Sequence, residues 1–316
     1  MTGQSQESAG RFSRWWIYQR ERFPVFAHGP LVLAFSASAV GFSAMLRGQN
    51  HFSSLASYLV AFITCLLFFF ELRIADEFKD FEEDSRYRPY RPVPRGLVKL
   101  RELGWVWVGA GVIQLSLALW LAPWLSLVLL MAWVYLALMS VEFFARDWLK
   151  ARPVTYLWTH MLIMPLVDLY ATACDWVVAG RHWPPPGVFW FLATSFFNGI
   201  VIELGRKIRA PADEEQGVQT YSALWGRQTA VCVWLAMILA TIACALRAAW
   251  KIHFVWQVLT ATGLMFLIAT MISFRFLGQP KTGAGKRIEL LAGVWTLILY
   301  LSLGLAPLLW RATQGH

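Results

Sequence analysis

A chain of 316 residues in which 58% of side chains are apolar and only 15% charged, with a mean hydropathy of +0.50, is too apolar for a water-soluble globule and belongs in a lipid bilayer. At about 20 apolar residues per crossing, the length holds roughly eight to ten transmembrane helices and excludes a separate soluble domain. The net charge of +9 calls for no nucleic acid, because basic loops lying against anionic headgroups account for it.

Residues 1–23 are polar, with Arg11, Arg14, Arg20 and Arg22 and no apolar core, so they read as a cytoplasmic tail and not as a cleaved signal peptide. Pro, Gly and charge then mark off nine apolar stretches, at 24–46, 54–75, 103–121, 124–142, 154–174, 187–204, 228–248, 254–276 and 288–310. The expected fold is all-α, a nine-transmembrane-helix bundle forming one integral membrane domain over 1–316. The tail and the connections 76–102, 146–152, 205–227 and 277–287 carry most of the Lys and Arg, against Arg47, Arg181, Arg247, Lys251 and Arg311 on the other side. The positive-inside rule places the amino terminus in the cytoplasm and the carboxyl terminus outside, in a multi-pass protein of a bacterial cytoplasmic membrane. Cys65, Cys174, Cys232 and Cys244 show neither CxxC nor CxxH spacing, so neither a zinc site nor a disulfide framework is expected.

Where the second span ends, Asp76, Asp80 and Asp84 stand four apart. In a continuing helix their carboxylates share one face, where they repel one another and oppose the helix dipole. A chain that accepts both penalties has a use for the charge. Oxygen-only ligands at the bilayer edge suit Mg²⁺, which completes its shell with phosphate oxygens; a solvated acidic loop that merely ends a helix is the plainer reading. The basic run Arg88, Pro89, Tyr90, Arg91, Pro92, Val93, Pro94, Arg95, Gly96 follows, and guanidinium forks match phosphate oxygens. Carboxylates for a metal followed by arginines point to a diphosphate between them.

The stretch from Asp76 to Gly96 resembles the first aspartate-rich motif of the UbiA-type superfamily of intramembrane prenyltransferases, Asn-Asp-x-x-Asp-x-x-x-Asp followed by Arg-Pro-x-x-x-Gly. Asp76 stands at the Asn position, Glu77 next to it, Asp80 and Asp84 at the following aspartates, and Arg91, Pro92 and Gly96 in the second half. Glu203 to Glu215, followed by Gly217, Thr220 and Gly226, looks like the tail of the second motif. Asp213 matches its last aspartate, but Arg209 occupies the earlier aspartate position, with Arg206 and Lys207 nearby. Lys150, Arg152 and Thr155 echo a basic Lys-Arg-x-Thr segment. The resemblance implies nine helices with both loops cytoplasmic and Mg²⁺-assisted ionisation of an isoprenoid diphosphate donor. An aromatic or other lipophilic acceptor then attacks the allylic carbon. It also implies Asp76, Asp80, Asp84 and Asp213 as metal-binding and catalytic residues. Arg91, Lys150, Arg152, Glu203, Arg206, Lys207 and Arg209 are the implied donor-binding set. A related transferase joining a polyprenyl phosphate to a phosphorylated sugar diphosphate remains an alternative, as does a transporter, although paired broken helices and midspan acid relays are not evident.

Within the spans, His160, Asp168 and Asn198 are polar. Intramembrane ionisable groups are functional candidates because an unpaired charge in lipid is costly. His160 and Asp168, eight apart, fall on roughly one face above an acceptor pocket, and Asp168 joins the substrate-binding set; interhelical hydrogen bonding accounts equally for Asn198 and His160. The topology is tested by tags placed after Gly96, after Gly217 and at His316. The first two are expected to be reachable only from the cytoplasmic side and the last only from the opposite side. His316 and Gly217 on one side would break the nine-span count.

Overall fold

In hydrocarbon a backbone N–H or C=O without a partner is costly, and a helix satisfies all but its terminal groups internally. The computed structural model describes residues 10–314, and among these it contains helices and no strand. The first nine residues of the tail and the His316 end of the topology expectation lie outside the described residues. Long helices are α2 (Val25–Leu46), α3 (Leu55–Lys79), α5 (Leu100–Leu121), α10 (Val188–Arg206), α12 (Arg227–Lys251), α13 (Val255–Gly278) and α14 (Ala284–Leu303). Shorter ones are α1 (Arg11–Arg22), α4 (Phe81–Tyr87), α6 (Leu125–Ser140), α7 (Arg146–Lys150), α8 (Pro153–Met161), α9 (Ile163–Trp176), α11 (Tyr221–Trp225) and α15 (Leu305–Gln314).

Eight segments are long and apolar enough to cross a bilayer: α2, α3, α5, α8 with α9, α10, α12, α13, and α14 with α15. The remaining expected span, 124–142, contains α6, which has 16 residues and so covers about 24 Å of a hydrocarbon layer about 30 Å thick. It ends where Glu142, Phe143 and Phe144 take φ of 53°, 52° and 58°, a left-handed turn that a right-handed helix cannot continue. Two further expected spans are interrupted, one at Leu162 between α8 and α9 and one at Gly304 between α14 and α15.

Small residues set the central crossing. A Cβ on Gly304 would overlap the backbone of Ser38 in α2, and one on Gly41 would lie 3.3 Å from Leu308 and 3.4 Å from the Gly304 carbonyl. Helices in lipid gain little from hydrophobicity against one another, so close approach at small residues is what makes the contact worth forming. Around this crossing α9, α10, α12 and α14 bury Phe191, Trp234, Trp295 and Tyr300. Asn198 Oδ1 accepts from Trp295 Nε1 at 3.0 Å and Thr296 Oγ1 at 3.3 Å, the interhelical bonding expected for it. On the rim, Trp105, Val112, Trp120, Leu264, Leu267 and Phe274 point outward, as lipid requires.

The two ends of the bundle differ. At one end Asp175, buried on α9, accepts from Ser43 at 2.7 Å, Ser53 at 2.6 Å, and Arg47 Nε and Nη2 at 2.8 and 2.7 Å. A buried carboxylate so fully satisfied is a fastener. At the other end the long polar connections interlock. Even the amino segment takes part: α1 is a docked helix, a correction to the reading of 1–23 as a simple polar tail. Arg14 grips Glu102 of α5 at 2.6 and 3.2 Å, and Tyr18, fully buried, packs with Ile74, Val93 and Leu103. Gly304→Val should lower stability by about 3 kcal/mol through forced separation of α2 from the α14–α15 break. Gly293→Ala, whose new methyl meets nothing within 4 Å, should leave the detergent melting midpoint unchanged.

Candidate functional site

The last turns of α3 carry Arg73, Asp76, Glu77 and Lys79, and Asp80 caps the helix with φ −96° and ψ 6°. A second short helix, α4, starts at Phe81. The i→i−4 bonds Asp80 N–H to Asp76 O at 2.9 Å and Asp84 N–H to Asp80 O at 2.8 Å carry the chain through this junction, and the charges of Asp76 and Asp84 both act on Asp80. Asp76 stays open, its side chain 42% exposed, with Arg73 Nη1 3.4 Å away. Asp80 is half-buried, and among the described residues no cation lies within 4.0 Å of it and no donor bonds to it. Burial, with Asp76 beside it, pushes its carboxyl above the usual carboxylate range.

Asp84 has the opposite surroundings. Its side chain is 2% exposed, with Arg88 Nη2 2.9 Å from Oδ1, Arg91 Nη1 2.5 Å from Oδ2 and Arg22 Nη2 3.8 Å from Oδ2. Arg22 and Arg73 also share the buried Glu77, at 2.5 and 3.4 Å. Asp84, expected as a metal ligand, turns both oxygens to guanidinium groups here and gathers arginines from α1 and from the Arg88–Gly96 run. Arg91, expected on a diphosphate, is among them.

The second polar connection, 207–226, faces the first. Tyr87 of α4 lies over Gly217, whose φ of +77° and lack of Cβ admit the ring; any side chain there would collide with it. Tyr90 donates to Glu215 at 3.4 Å. Thr220 caps α11 by accepting from Ala223 N–H at 3.2 Å, and Ser222 accepts the Arg209 N–H at 2.8 Å, which fixes the loop's course. Glu203 holds Arg206 at 2.6 Å and Lys207 at 2.8 Å, and Arg209 reaches Glu215 at 2.9 Å. Arg206 is nonetheless half exposed, and the charges of Asp76 and Glu203 both act on it, so it stands across the cleft from the first motif. Asp213 does not turn to that cleft with the carboxylate oxygen that bonds. Its Oδ2 accepts the Gly283 N–H at 2.7 Å, joining the second loop to the turn before α14.

Lys150 reaches Glu83 at 2.6 Å, which pulls the Glu83 carboxyl below its usual range, while Arg152 lies over the Trp148 ring at 4.5 Å. His160 and Asp168, expected on one face, meet different partners: His160 faces Lys79 and Tyr156, with the one-residue interruption at Leu162 between it and α9. Asp168 is fully buried against Tyr300 and Ser195, the Tyr300 hydroxyl lying 3.3 Å from its Oδ2 and 3.0 Å from Ser195 Oγ.

A group that sequence reasoning missed lies beside Asp80. Lys79 Nζ bonds to Tyr156 OH, stands 3.0 Å from Glu142 Oε1 and 3.4 Å from His160 Nε2. The rings of Tyr156 and His160 stack at 3.8 Å. Glu142 opens the left-handed turn, whose conformation costs about 1–2 kcal/mol per residue. The only available signal was the isolated Glu142 after a purely apolar run, and no periodicity links it to Lys79. Among the described residues no three Asp, Glu, His or Cys form a preassembled metal cage. The donor set that does fit a hard cation is Asp76 with Asp80, because a half-buried carboxylate without a cationic partner is stabilised by one.

The fold is shared with solved structures of low sequence identity. The apo structure of a UbiA homologue from Aeropyrum pernix K1 aligns with TM-score 0.64 at 16% identity over 87% of this chain and 96% of that one. A structure described as digeranylgeranylglyceryl phosphate synthase aligns with TM-score 0.58 at 12% identity, covering 95% and 99%. A UbiA homologue from Archaeoglobus fulgidus bound to DMAPP and Mg²⁺ gives 0.55 at 13%, covering 90% and 98%. No curated protein matches the sequence. Residues 31–284 match the model of the UbiA prenyltransferase family, and with that match over most of its length this multi-pass chain belongs to the UbiA prenyltransferase family.

Proposed function

We propose that this protein, as a single membrane domain over 1–316, transfers a prenyl or polyprenyl group from an isoprenoid diphosphate to an aromatic or other lipophilic acceptor. The observation that carries the reading is the cleft itself: Asp76 and the cation-free Asp80 on one wall, and Arg206 with its basic neighbours on the other. Chemistry of this kind needs charge stabilisation on a leaving diphosphate, and a membrane site needs that charge kept at the polar edge. The basic tail and the four basic connections assign that edge, by the positive-inside rule, to the cytoplasm. The described Archaeoglobus fulgidus homologue, bound to DMAPP and Mg²⁺, supports the same pairing of ligand and ion here.

Asp76 and Asp80 would hold Mg²⁺, which when bound neutralises developing charge on the diphosphate oxygens. Arg206, Lys207 and Arg209 supply fixed positive charge where the family motif carries an acid, with Glu203 and Glu215 orienting them. Arg91, held by Asp84, extends the basic wall. Lys150 braces α4 through Glu83 next to Arg152, and Asp213 keeps the second loop against the start of α14. The isoprenoid chain runs between helices toward lipid, away from water.

Radiolabelled geranyl, farnesyl and geranylgeranyl diphosphates incubated with membranes containing the protein should give Mg²⁺-dependent diphosphate release and a labelled lipid product. Asp80→Asn should cut that release by about 100-fold or more. Asp84→Asn should act differently, costing about 3 kcal/mol of stability by leaving buried guanidinium groups unpaired and raising the donor KM without changing the Mg²⁺ dependence. Arg206→Ala or Arg209→Ala should weaken donor binding about tenfold, the worth of one charge-assisted hydrogen bond, with added Mg²⁺ restoring only part. Near-normal turnover of Asp80→Asn at subsaturating Mg²⁺ would remove the proposal's main support.

A further inference from the structure

Four polar side chains meet in a nearly dry corner beside the cleft: Lys79 from α3, Glu142 from the turn after α6, and Tyr156 and His160 from α8. Donor and acceptor roles are fixed by elementary bookkeeping. A lysine ammonium only donates, so His160 Nε2, 3.4 Å from Lys79 Nζ, presents its lone pair. The proton of a neutral ring is then on Nδ1, which donates to the Tyr156 carbonyl at 2.9 Å. Glu142 Oε1 is taken by Lys79 at 3.0 Å and by the Tyr156 hydroxyl at 3.3 Å. Glu142 Oε2, on a side chain 3% exposed, has no hydrogen-bond partner and faces His160 Nε2 at 3.5 Å.

Glu142 Oε2 therefore faces a ring nitrogen that is itself an acceptor, already served by Lys79, and among the described residues no donor bonds to that oxygen. Such an arrangement is unfavourable unless a donor reaches Oε2, because a buried acceptor without a donor loses its solvation for nothing. The same glutamate is held there by three consecutive non-glycine residues in the left-handed region, and strain kept in place by surrounding structure concentrates at working sites. The corner also adjoins the reaction cleft. Lys79 immediately precedes Asp80 in the chain, and the charges of Asp76 and Asp80 act on the Tyr156 hydroxyl. Tyr156 in turn lies within electrostatic range of Tyr221 in the second connection.

We propose that Glu142 is the acceptor-side base of the reaction, its Oε2 receiving the hydroxyl of a hydroxyl-bearing lipophilic acceptor and then that hydroxyl's proton. This rests on the prenyl-transfer reading above. In the step, the bond between the allylic carbon and the diphosphate oxygen breaks with its electron pair leaving on the diphosphate. The acceptor hydroxyl gives its proton to Glu142 Oε2, and the electron pair so freed forms the new bond to the allylic carbon, from the oxygen or, in a phenol, through the ring. Lys79 and Tyr156 are positioning residues that occupy Oε1 and leave Oε2 as the open oxygen. His160, whose Nε2 accepts from Lys79, packs behind Oε2 and helps to hold the lysine in place.

The test follows both fates of labelled geranylgeranyl diphosphate in membranes with Mg²⁺: lipid product, and geranylgeraniol formed when water captures the allylic group. Glu142→Gln should lower lipid product by about 100-fold, the usual scale for loss of a general base, with the donor KM within twofold and the ratio of product to geranylgeraniol shifted toward the alcohol. Glu142→Asp should restore part of the ratio. Tyr156→Phe, which removes one hydroxyl and tests the corner should the glutamate variants fail to fold, should lower product about tenfold with donor KM intact. An unchanged ratio and turnover in Glu142→Gln would overturn the assignment, and so would parallel losses of donor binding and product in Tyr156→Phe. Absence of any diphosphate release from wild type would instead overturn the prenyl-transfer reading itself.

Discussion

A charge at the edge of hydrocarbon must find a partner before the protein can close around it, since both desolvation and an unpaired buried charge are expensive. This chain places acidic residues where the second span leaves the bilayer, and the cations that answer them come both from distant segments and from the run that follows. Arg22 from α1 reaches Glu77, Lys79 reaches Glu142 beyond α6, Lys150 reaches Glu83, and Arg88 and Arg91 turn back onto Asp84. The first three pairs each tie one segment to another, and the last two close the first connection on itself. The polar end of the bundle is thus an interlocked layer, joined by charge pairs and by the apolar cluster of Tyr18, Ile74, Val93 and Leu103.

Within that layer, carboxylates of the same motif divide into different tasks because their surroundings differ. Asp84 and Glu77 are buried among guanidinium groups, so they organise. Asp76 and Asp80 are left without comparable partners, so they remain free to meet a cation. The same division recurs across the cleft, where Glu203 and Glu215 hold arginines in place and Asp213 secures the turn before α14. A substitution pattern that puts Arg209 at an aspartate position is compatible with function on this view, because fixed cations and metal-held cations serve one purpose at a diphosphate.

Much of this was legible early. Composition dictated the membrane, Pro and Gly marked most span limits, and the four-residue spacing of aspartates followed by arginines marked the first polar loop. The errors have physical causes. Hydropathy cannot see the break at Leu162 or at Gly304, because both lie inside continuous apolar runs, and the one at Gly304 sits where that residue approaches Ser38 closely. Polarity concealed α1, whose Trp15 and Tyr18 form a narrow docking stripe among arginines. Spacing put Asp84 with Asp76 and Asp80, but it could not show that Asp84 is buried against Arg88 and Arg91 while Asp80 is not.

By itself the sequence determined the class of solvent, the helical fold, the basic side and the residue types available for a diphosphate, because these depend on local composition and on the backbone's need for internal hydrogen bonds in lipid. Tertiary structure alone decided which carboxylates are spent on arginines and which stay open. It also decided that Glu142, 63 positions beyond Lys79 in the numbering, stands against that lysine with one oxygen free of hydrogen bonds. Those outcomes depend on distances between segments far apart in the chain, and a Coulomb interaction or a hydrogen bond is set by distance in space, which spacing along a sequence does not encode.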